Sequence, residues 1–211
     1  MPAILCEIEG YWCYWHGDKG YSGVALHVRQ DCLVDPPVFS HPEFDHETRI
    51  VAAALGSLTV ASVYVPNGGK DYDAKIAFMN ALEQYAASLE AAGRAIVICG
   101  DVNVARSERD VHPKERKANA IGQRPEERAL FERILSHGLI DVGRALDPEN
   151  DNLFTWWAPW RNLRQRNIGW RLDYVLASSS LAQRAVACPV LREFGTSDHG
   201  PVIASFSITT G

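Results

Sequence analysis

One apolar segment, RAIVICGDVNVA at positions 94–105, constrains the fold of this chain more than any other part of the sequence. Five of the six residues from 95 to 100 are apolar, and the run is bounded by glycine and polar residues. This pattern is typical of a buried central strand, which would deliver Asp101 and Asn103 to its C-terminal end. Because these residues are two positions apart, their side chains point the same way if strand geometry continues.

The G-D-x-N sequence at this strand end allows two interpretations. A carboxylate beside a carboxamide can hold a hard cation, orient a water molecule or support a phosphate oxygen. An Asx-rich turn that only closes the strand is the commoner use of such a sequence. Asp101 and Asn103 are therefore candidate functional residues that need support from elsewhere in the chain.

Two further predicted strands carry polar residues where a core would place apolar ones. Asp173 lies inside the otherwise apolar segment GWRLDYVLAS at 169–178, and Asp198-His199 precedes a final strand predicted at 201–208. A buried, unpaired carboxylate is costly, so Asp173 must be paired, exposed or functional, and a turn or salt bridge would satisfy it. The side chain of His199 titrates near neutral pH, which suits general-acid or charge-stabilising work beside Asp198.

The rest of the pattern predicts hairpins separated by helices. Strands are predicted at 10–16 and 23–28, at 49–55 and 58–65, and an extended piece at 139–142, with a loop at 36–42. Helices are predicted at 73–92 and from 125 to near 138, with a helical turn at 180–185. Since no repeat, linker or low-complexity tract interrupts the chain, we expect one α+β domain over residues 1–211, built in layers.

Composition excludes some classes of protein. With a net charge of −5 the chain is not a uniformly basic nucleic-acid binder, although Arg161, Arg164, Arg166 and Arg171 fall in a stretch without acids. A smaller basic cluster contains Lys114, Arg116 and Lys117. Such clusters can form a rim that follows phosphates, or they can be solvated loops.

Cysteines and apolar runs bear on the cellular compartment. The five cysteines are scattered without a C-x-x-C pair, which argues against a zinc site and against a disulfide framework. We find no signal-peptide pattern and no apolar run near the roughly 20 residues that span a bilayer. We therefore expect a cytoplasmic protein with no membrane partner.

Five sequence strings together carry a family resemblance. They are KGYSGVAL (19–26), VYVPNGG (63–69), CGDVNVA (99–105), NIGWRLDYVLAS (167–178) and TSDHGPV (196–202). In this order and spacing the chain resembles the exonuclease III-type apurinic/apyrimidinic endonucleases, within the larger endonuclease/exonuclease/phosphatase superfamily. G-D-x-N marks the superfamily, whereas NIGWRLDY and YVPNGG narrow the resemblance to the DNA-repair branch. The implied fold is a layered β-sandwich flanked by helices.

The resemblance implies roles for the polar residues at the strand ends. Asp101 matches the residue that activates or orients the attacking water, and Asn103 matches the partner that holds the scissile phosphate. Asp198 matches a metal-associated carboxylate, and the implied metal set is Asp101, Asn103 and Asp198.

Three more residues match catalytic positions of the family. His199 matches the residue that stabilises charge on the phosphate, and Asp173 matches the acid that pairs with this histidine and favours its cationic form. Tyr64 matches an active-site phenol that faces the phosphate.

The implied substrate is double-stranded DNA with abasic sites or 3′ ends. Trp156, Trp170 and Leu172 match an apolar pocket for a flipped-out abasic sugar, which rotates out of the duplex at little cost because it carries no base. The positions that match contacts to the DNA backbone are Asn67, Lys70 and Asn119. The remaining tryptophans between 156 and 170 are expected in the core or at the rim.

The implied reaction is hydrolysis of the DNA backbone 5′ to the abasic site. A Mg²⁺ ion, with Mn²⁺ as an alternative, neutralises developing charge while water attacks phosphorus in line and the 3′ oxygen leaves. The products are a 3′-hydroxyl and a 5′-deoxyribose phosphate, and a 3′-exonuclease or 3′-phosphodiesterase activity is a further expectation. We expect a monomer.

The chain also departs from the family pattern. Family members begin with a W/F-N-x-N-G strand, a helix and a strand ending in Q-E, whose Glu is the principal metal ligand, and neither motif occurs in these 211 residues. Glu47 matches a family Glu near the site but not that ligand. Two alternatives therefore stay open, namely a catalytically impaired DNA-binding fragment and a superfamily phosphoesterase that acts on another substrate.

Overall fold

In the computed structural model, which describes residues 7–18 and 21–207, five strands come before the first α-helix. The strands are β1 (Tyr11–Asp18), β2 (Tyr21–Arg29), β3 (Val38–Ser40), β4 (Ile50–Leu55), β5 (Leu58–Tyr64), β6 (Ala95–Asp101), β7 (Leu139–Asp141), β8 (Asp173–Ser178), β9 (Ala185–Ala187) and β10 (Ser205–Phe206). The helices are α1 (Tyr72–Ala91), α2 (Pro125–Leu135), α3 (Val142–Leu146) and α4 (Ser179–Ala182). None of the helices within these described segments is both long and apolar enough to cross a bilayer.

The central element is a six-stranded mixed sheet with the order β3-β4-β5-β6-β8-β7. Strands β5 and β6 run parallel, whereas the other neighbouring pairs are antiparallel. The apolar segment at 95–101 becomes β6, which lies between β5 and β8. The prediction of a central strand at this segment is confirmed.

One face of the six-stranded sheet is covered by α1 and α2. Phe78, Met79 and Leu82 of α1 pack in one buried cluster with Ile96 and Ile98 of β6. The same cluster includes Phe131 and Ile134 of α2. The spacing of three and four that predicts a helix over 73–92 is therefore the stripe that is buried against the sheet.

The opposite face carries a second, thinner β layer. The β1–β2 hairpin lies over β4 and β5, and the two-stranded sheet of β9 and β10 covers the side of β8, with Val202 and Phe206 packed near Val175 and Ala177. The layered α+β architecture with flanking helices is confirmed.

Several predicted boundaries differ from the structure. The last strand, predicted at 201–208, shortens to β10, with only an isolated bridge from Val202 to Val190 before it, and residue 208 lies outside the described residues. The strand predicted at 169–178 begins at Asp173, because Trp170 pairs with Trp156 and the amide of Arg171 donates to Asp110. The connection between the strands predicted at 10–16 and 23–28 is described only in part, because residues 19 and 20 lie outside the described residues.

The loop predicted at 36–42 contains a short strand, β3, which pairs with the outer side of β4. Three residues after two prolines carry no periodic signal, so only the neighbouring strand explains this element. Helix α3 and strand β9 also lie outside the predicted elements, and both are five residues or shorter.

Gly100 sets the direction of the chain at the end of β6. Its φ is +131°, and a Cβ at this position would lie 2.1 Å from the carbonyl oxygen of Val63. Only glycine permits this close approach between β6 and β5. The residue that follows, Asp101, is thereby placed beside the end of β5.

Candidate active site

Three polar side chains lie side by side at one edge of the central sheet. Asp101, the last residue of β6, pairs with Tyr64 on β5 and with Asp173 on β8. Residues paired across neighbouring strands project from the same face of a sheet. The strand register therefore brings together Tyr64, Asp101 and Asp173, which are distant in the sequence.

Asp101 and Asn103 form a closed local arrangement. The backbone N–H of Asn103 donates to Oδ1 of Asp101 at 2.8 Å, and its Nδ2 donates to Oδ2 at 2.9 Å. The same Nδ2 donates to the carbonyl of Val65 at 2.9 Å, and Asn103 has a φ of +54°, which asparagine tolerates better than most residues. The G-D-x-N segment is thus an Asx-type turn, and it also holds both side chains at the sheet edge.

His199 is linked to this edge through Asp173. Its Nδ1 lies 2.8 Å from Oδ2 of Asp173, which leaves Nε2 as the ring nitrogen directed away from that carboxylate. Asp173 is the first residue of β8, and its contact with His199 is the ion pair expected for it.

Thr155 joins the His199 segment to β8, and the sequence analysis missed it. The buried Oγ1 of Thr155 accepts hydrogen bonds from the amides of Leu172 at 2.9 Å and Asp173 at 3.0 Å. The Thr155 carbonyl accepts from Gly200 N at 2.7 Å. A threonine beside an aromatic run gives no signal for this contact, because its partners are 17 and more residues away.

Asp198 and the two predicted pocket tryptophans form a second group next to His199. The indole Nε1 of Trp156 donates to Oδ2 of Asp198 at 2.9 Å, and Trp156 pairs with both Trp170 and His199. The rings of Trp156 and Trp170 meet edge to face with centroids 5.8 Å apart. Leu172, the third residue predicted for this pocket, is 6% exposed, and its amide donates to Thr155.

The three residues predicted to contact DNA are all exposed. Asn67 accepts from Gly69 N through its side chain, and Asn119 accepts from Arg124 Nε through its carbonyl. Lys70 follows in the same loop as Asn67. A Cβ on Gly68 would lie 3.3 Å from Ile121, so the two loops that carry these residues pack together.

The predicted basic rim does not form as a unit. Arg171 is buried, with Nε 2.8 Å from Asp110 and Nη2 2.6 Å from Asp141, because two buried carboxylates require a charged partner. Arg164 donates to the carbonyls of Arg192 and Phe194. Among the four arginines Arg161 and Arg166 are exposed, which fits the alternative of a solvated loop.

A buried ion pair supports the site from below. Lys75 and Glu127 are both fully buried, with Nζ 2.5 Å from Oε1, and Nζ also donates to the Asn103 carbonyl at 2.8 Å. Oε2 of Glu127 accepts from Gly122 N at 2.7 Å. Sequence reasoning missed this pair, although Lys75 occupies a core position of the predicted helix, in step with Phe78, Met79 and Leu82.

Burial and like charge raise the pKa of Asp101. Burial raises it most, the neighbouring Asp173 raises it further, and His199 only partly opposes them, so that the pKa is about 7. Burial alone would lower the pKa of His199, but the hydrogen bond and charge of Asp173 outweigh burial, and the pKa of His199 is raised. The imidazole is therefore biased toward its cationic form.

Replacing Asp173 by asparagine is expected to lower the pKa of His199, because the hydrogen bond and the charge that raise it both come from this carboxylate. NMR titration of the His199 imidazole measures the change. Asp198→Asn is the matched control, since Asp198 acts on His199 through its charge alone and should cause a smaller decrease. Equal decreases in the two variants would contradict the assigned pairing.

The donor set at the end of β6 suits a hard divalent cation. Asp101 offers carboxylate oxygens, and Asn103 offers its amide oxygen because the hydrogen bonds described for its side chain use Nδ2. Asp198, the third predicted ligand, accepts from Trp156 in the neighbouring group and offers a further carboxylate. Mg²⁺ and Mn²⁺ prefer such oxygen ligands.

Comparison with known proteins agrees with this geometry. The profile of the Endonuclease/Exonuclease/phosphatase family matches residues 3–199. The chain belongs to the Endonuclease/Exonuclease/phosphatase family. Proteins of this family depend on a divalent metal ion.

Individual relatives are similar over most of the chain. It is 34% identical over 199 residues to an exodeoxyribonuclease of Bacillus subtilis (strain 168), covering 92% of this chain and 79% of the relative. It is 33% identical to the DNA repair nuclease APEX1 of Danio rerio, covering 96% and 67%.

Solved structures give the same result. A 3′ phosphatase, NExo, from Neisseria bound to a product DNA hairpin matches with a TM-score of 0.86 and 29% identity, covering 99% of this chain and 84% of that one. An AP endonuclease from Archaeoglobus fulgidus matches with a TM-score of 0.83 and 29% identity, covering 94% and 80%. The resemblance drawn from the motifs is confirmed, and so is the expectation of a DNA-repair nuclease.

Proposed function

We propose that this protein is a Mg²⁺-dependent phosphodiesterase that cleaves double-stranded DNA 5′ to abasic sites. The observation that carries the proposal is the convergence of Tyr64, Asp101 and Asp173 on adjacent strands, with His199 hydrogen-bonded to Asp173. The names of the exodeoxyribonuclease and AP endonuclease relatives support the substrate class. We extend the proposal to a single-domain monomer located in the cytoplasm. The free cysteines among the described residues support only the location.

The reacting groups are assigned from their positions. Asp101 takes the proton of the attacking water or orients that water, because it is the partly buried carboxylate with a pKa of about 7. His199 donates from Nε2 to a phosphate oxygen, and Asp173 keeps the imidazole oriented and cationic. Asn103 and Tyr64 contact the scissile phosphate, so that the phosphorus lies in line with the water.

The metal assists this set of residues. Asp101, Asn103 and Asp198 would hold Mg²⁺, or Mn²⁺ in its place, and the ion would supply charge neutralisation at the phosphate. The 3′ oxygen of the preceding nucleotide takes up a proton from solvent as the P–O bond breaks. The products are a 3′-hydroxyl and a 5′-deoxyribose phosphate.

Selection of an abasic site is assigned to the tryptophan pair. The edge-to-face rings of Trp156 and Trp170 lie beside His199, and we assign the apolar slot to these rings together with the buried Leu172. A sugar that lacks its base can leave the stack at lower cost than a whole nucleotide. The exposed residues Asn67, Lys70 and Asn119 would contact the backbone on either side, and 3′ ends would enter the same site.

A nicking assay tests the proposal directly. A duplex with one abasic analogue is incubated with the protein and Mg²⁺, and a parallel sample contains EDTA. Metal-dependent nicking 5′ to the analogue is the expected result. Binding without nicking would favour the catalytically impaired DNA-binding fragment, and hydrolysis of a small phosphoester alone would favour a phosphoesterase with another substrate.

Metal affinity is expected to depend on pH through Asp101. Because the pKa of Asp101 is about 7 and only the ionised carboxylate binds a cation, protonation competes with the metal below that pH. The apparent dissociation constant for Mn²⁺ should be about tenfold higher at pH 6 than at pH 8, as follows from the protonated fraction of a single group. Electron paramagnetic resonance of free Mn²⁺ measures it. An unchanged constant over this range would show that Asp101 is not a ligand.

A further inference from the structure

A second group of potential metal ligands lies away from the site described above. His16 on β1, His41 directly after β3 and Asp45 in the loop before β4 place their ligand atoms within 4.8 Å of one another. Nε2 of His16 is 2.6 Å from Oδ2 of Asp45. The rings of His16 and His41 are stacked, with centroids 4.4 Å apart and planes 5° from parallel.

Asp45 is fixed in place for this contact. Its Oδ1 accepts hydrogen bonds from the backbone amides of Arg49 at 2.7 Å and Ile50 at 3.0 Å, which turns Oδ2 toward the imidazoles. The side chains of His16 and Asp45 are 16% and 12% exposed, whereas His41 is exposed. Asp45 is thus held in place beside His16, and His41 lies at the solvent side.

We propose that His16, His41 and Asp45 bind a single zinc-like divalent transition-metal ion. Two imidazole nitrogens and one carboxylate oxygen are ligands that suit Zn²⁺, whereas Mg²⁺ prefers oxygen donors. Ligand atoms about 2.0–2.2 Å from a tetrahedral ion lie roughly 3.5 Å from one another, so binding would open the 2.6 Å contact between His16 and Asp45 and turn the exposed His41 ring toward the ion. Solvent would take the fourth position.

The ion would fasten the β1–β2 hairpin to the loop between β3 and β4. That loop continues to Glu47 and Arg49, which form an ion pair at 2.9 Å, and the Arg49 guanidinium lies 4.7 Å from the centre of the Tyr64 ring. The role is therefore structural. The scattered cysteines argue against a cysteine-based zinc site. They do not bear on His16, His41 and Asp45, because this donor set contains no cysteine.

Co²⁺ is the probe for this site, because its visible absorption reports coordination number and ligand type. The full chain is titrated with Co²⁺ in excess Mg²⁺, and Zn²⁺ is then added as a competitor. We expect one equivalent of bound Co²⁺ with the absorption of a four- or five-coordinate ion, and displacement by Zn²⁺. His41→Ala removes an exposed ligand without touching the core, and should weaken binding about 10- to 100-fold, as loss of a metal-site partner does.

Three further variants separate this site from other sources of binding. His46→Ala is the matched control, since His46 is an exposed histidine next to Asp45 but outside the cluster, and it should bind as the parent does. Asp101→Asn should also bind normally, and loss of the signal in that variant would assign the ion to the proposed active site. Two results would overturn the proposal. One is unchanged Co²⁺ binding in His41→Ala, and the other is loss of the Co²⁺ absorption in Cys32→Ser.

Discussion

Cleavage of an abasic-site duplex is expected to fall about 10²- to 10⁴-fold when Asp101 is replaced by asparagine, the range for loss of a general base or an electrostatic stabiliser. The amide has nearly the same shape as the carboxylate, but it cannot accept a proton from water and is a weak ligand for a cation. Single-turnover rates with saturating protein isolate this step from DNA binding.

The control for this variant is Asp73→Asn, which changes an exposed aspartate in the first turn of α1 and should cleave at the parental rate. Asp101→Asn should still bind the duplex, and it should unfold within a few degrees of the parent, since the change removes one of two adjacent carboxylates. A rate within tenfold of the parent would remove Asp101 from the mechanism.

Local pattern and family resemblance predict different parts of the site. The apolar run before Gly100 predicts β6, which ends at Asp101. Strand geometry does not continue to Asn103, whose φ is +54°, and its hydrogen bonds to Asp101 hold both side chains at this strand end instead. The family resemblance pairs Asp173 with His199, and their oxygen and nitrogen lie 2.8 Å apart.

Contacts between distant segments escape sequence reasoning. The register that sets Tyr64 beside Asp101 depends on how β5 packs against β6, and no pattern within either strand specifies it. Arg171 looks like part of a basic surface, yet it is buried against Asp110 and Asp141, which lie 61 and 30 residues away in the sequence. A cluster of basic residues in the sequence therefore predicts a basic surface poorly where a buried carboxylate can pair with one of them.

Short strands are missed by prediction from the sequence for a different reason. Strand β3 and the bridge at Val202 contain too few residues for a period to be seen, and the neighbouring strands stabilise them. The interior Lys75 could have been found, because a lysine in step with Phe78, Met79 and Leu82 contradicts an apolar helix stripe. Such a conflict between pattern and residue type points to a buried partner.

Replacing Lys75 by methionine is expected to lower the free energy of unfolding by about 3–5 kcal/mol, the cost of leaving one member of a buried ion pair without its partner. The Glu127 carboxylate would remain fully buried, with only the amides of Gly122 and Arg124 as donors. Urea denaturation measures the loss. Lys114→Met, which changes an exposed lysine, is the control and should leave the unfolding free energy nearly unchanged.

The double variant Lys75→Met with Glu127→Gln tests whether the cost comes from the unpaired charge. Glutamine keeps a carbonyl oxygen for the Gly122 and Arg124 amides but carries no charge, so the double variant should recover more than half of the lost stability. Burial lowers the pKa of Lys75 despite the charge of Glu127, which shows how strongly this interior disfavours charge. If the double variant is as unstable as Lys75→Met, the lost stability comes instead from the hydrogen bond between Lys75 and the Asn103 carbonyl. In that case the chief role of Lys75 is to hold the strand end that carries Asp101.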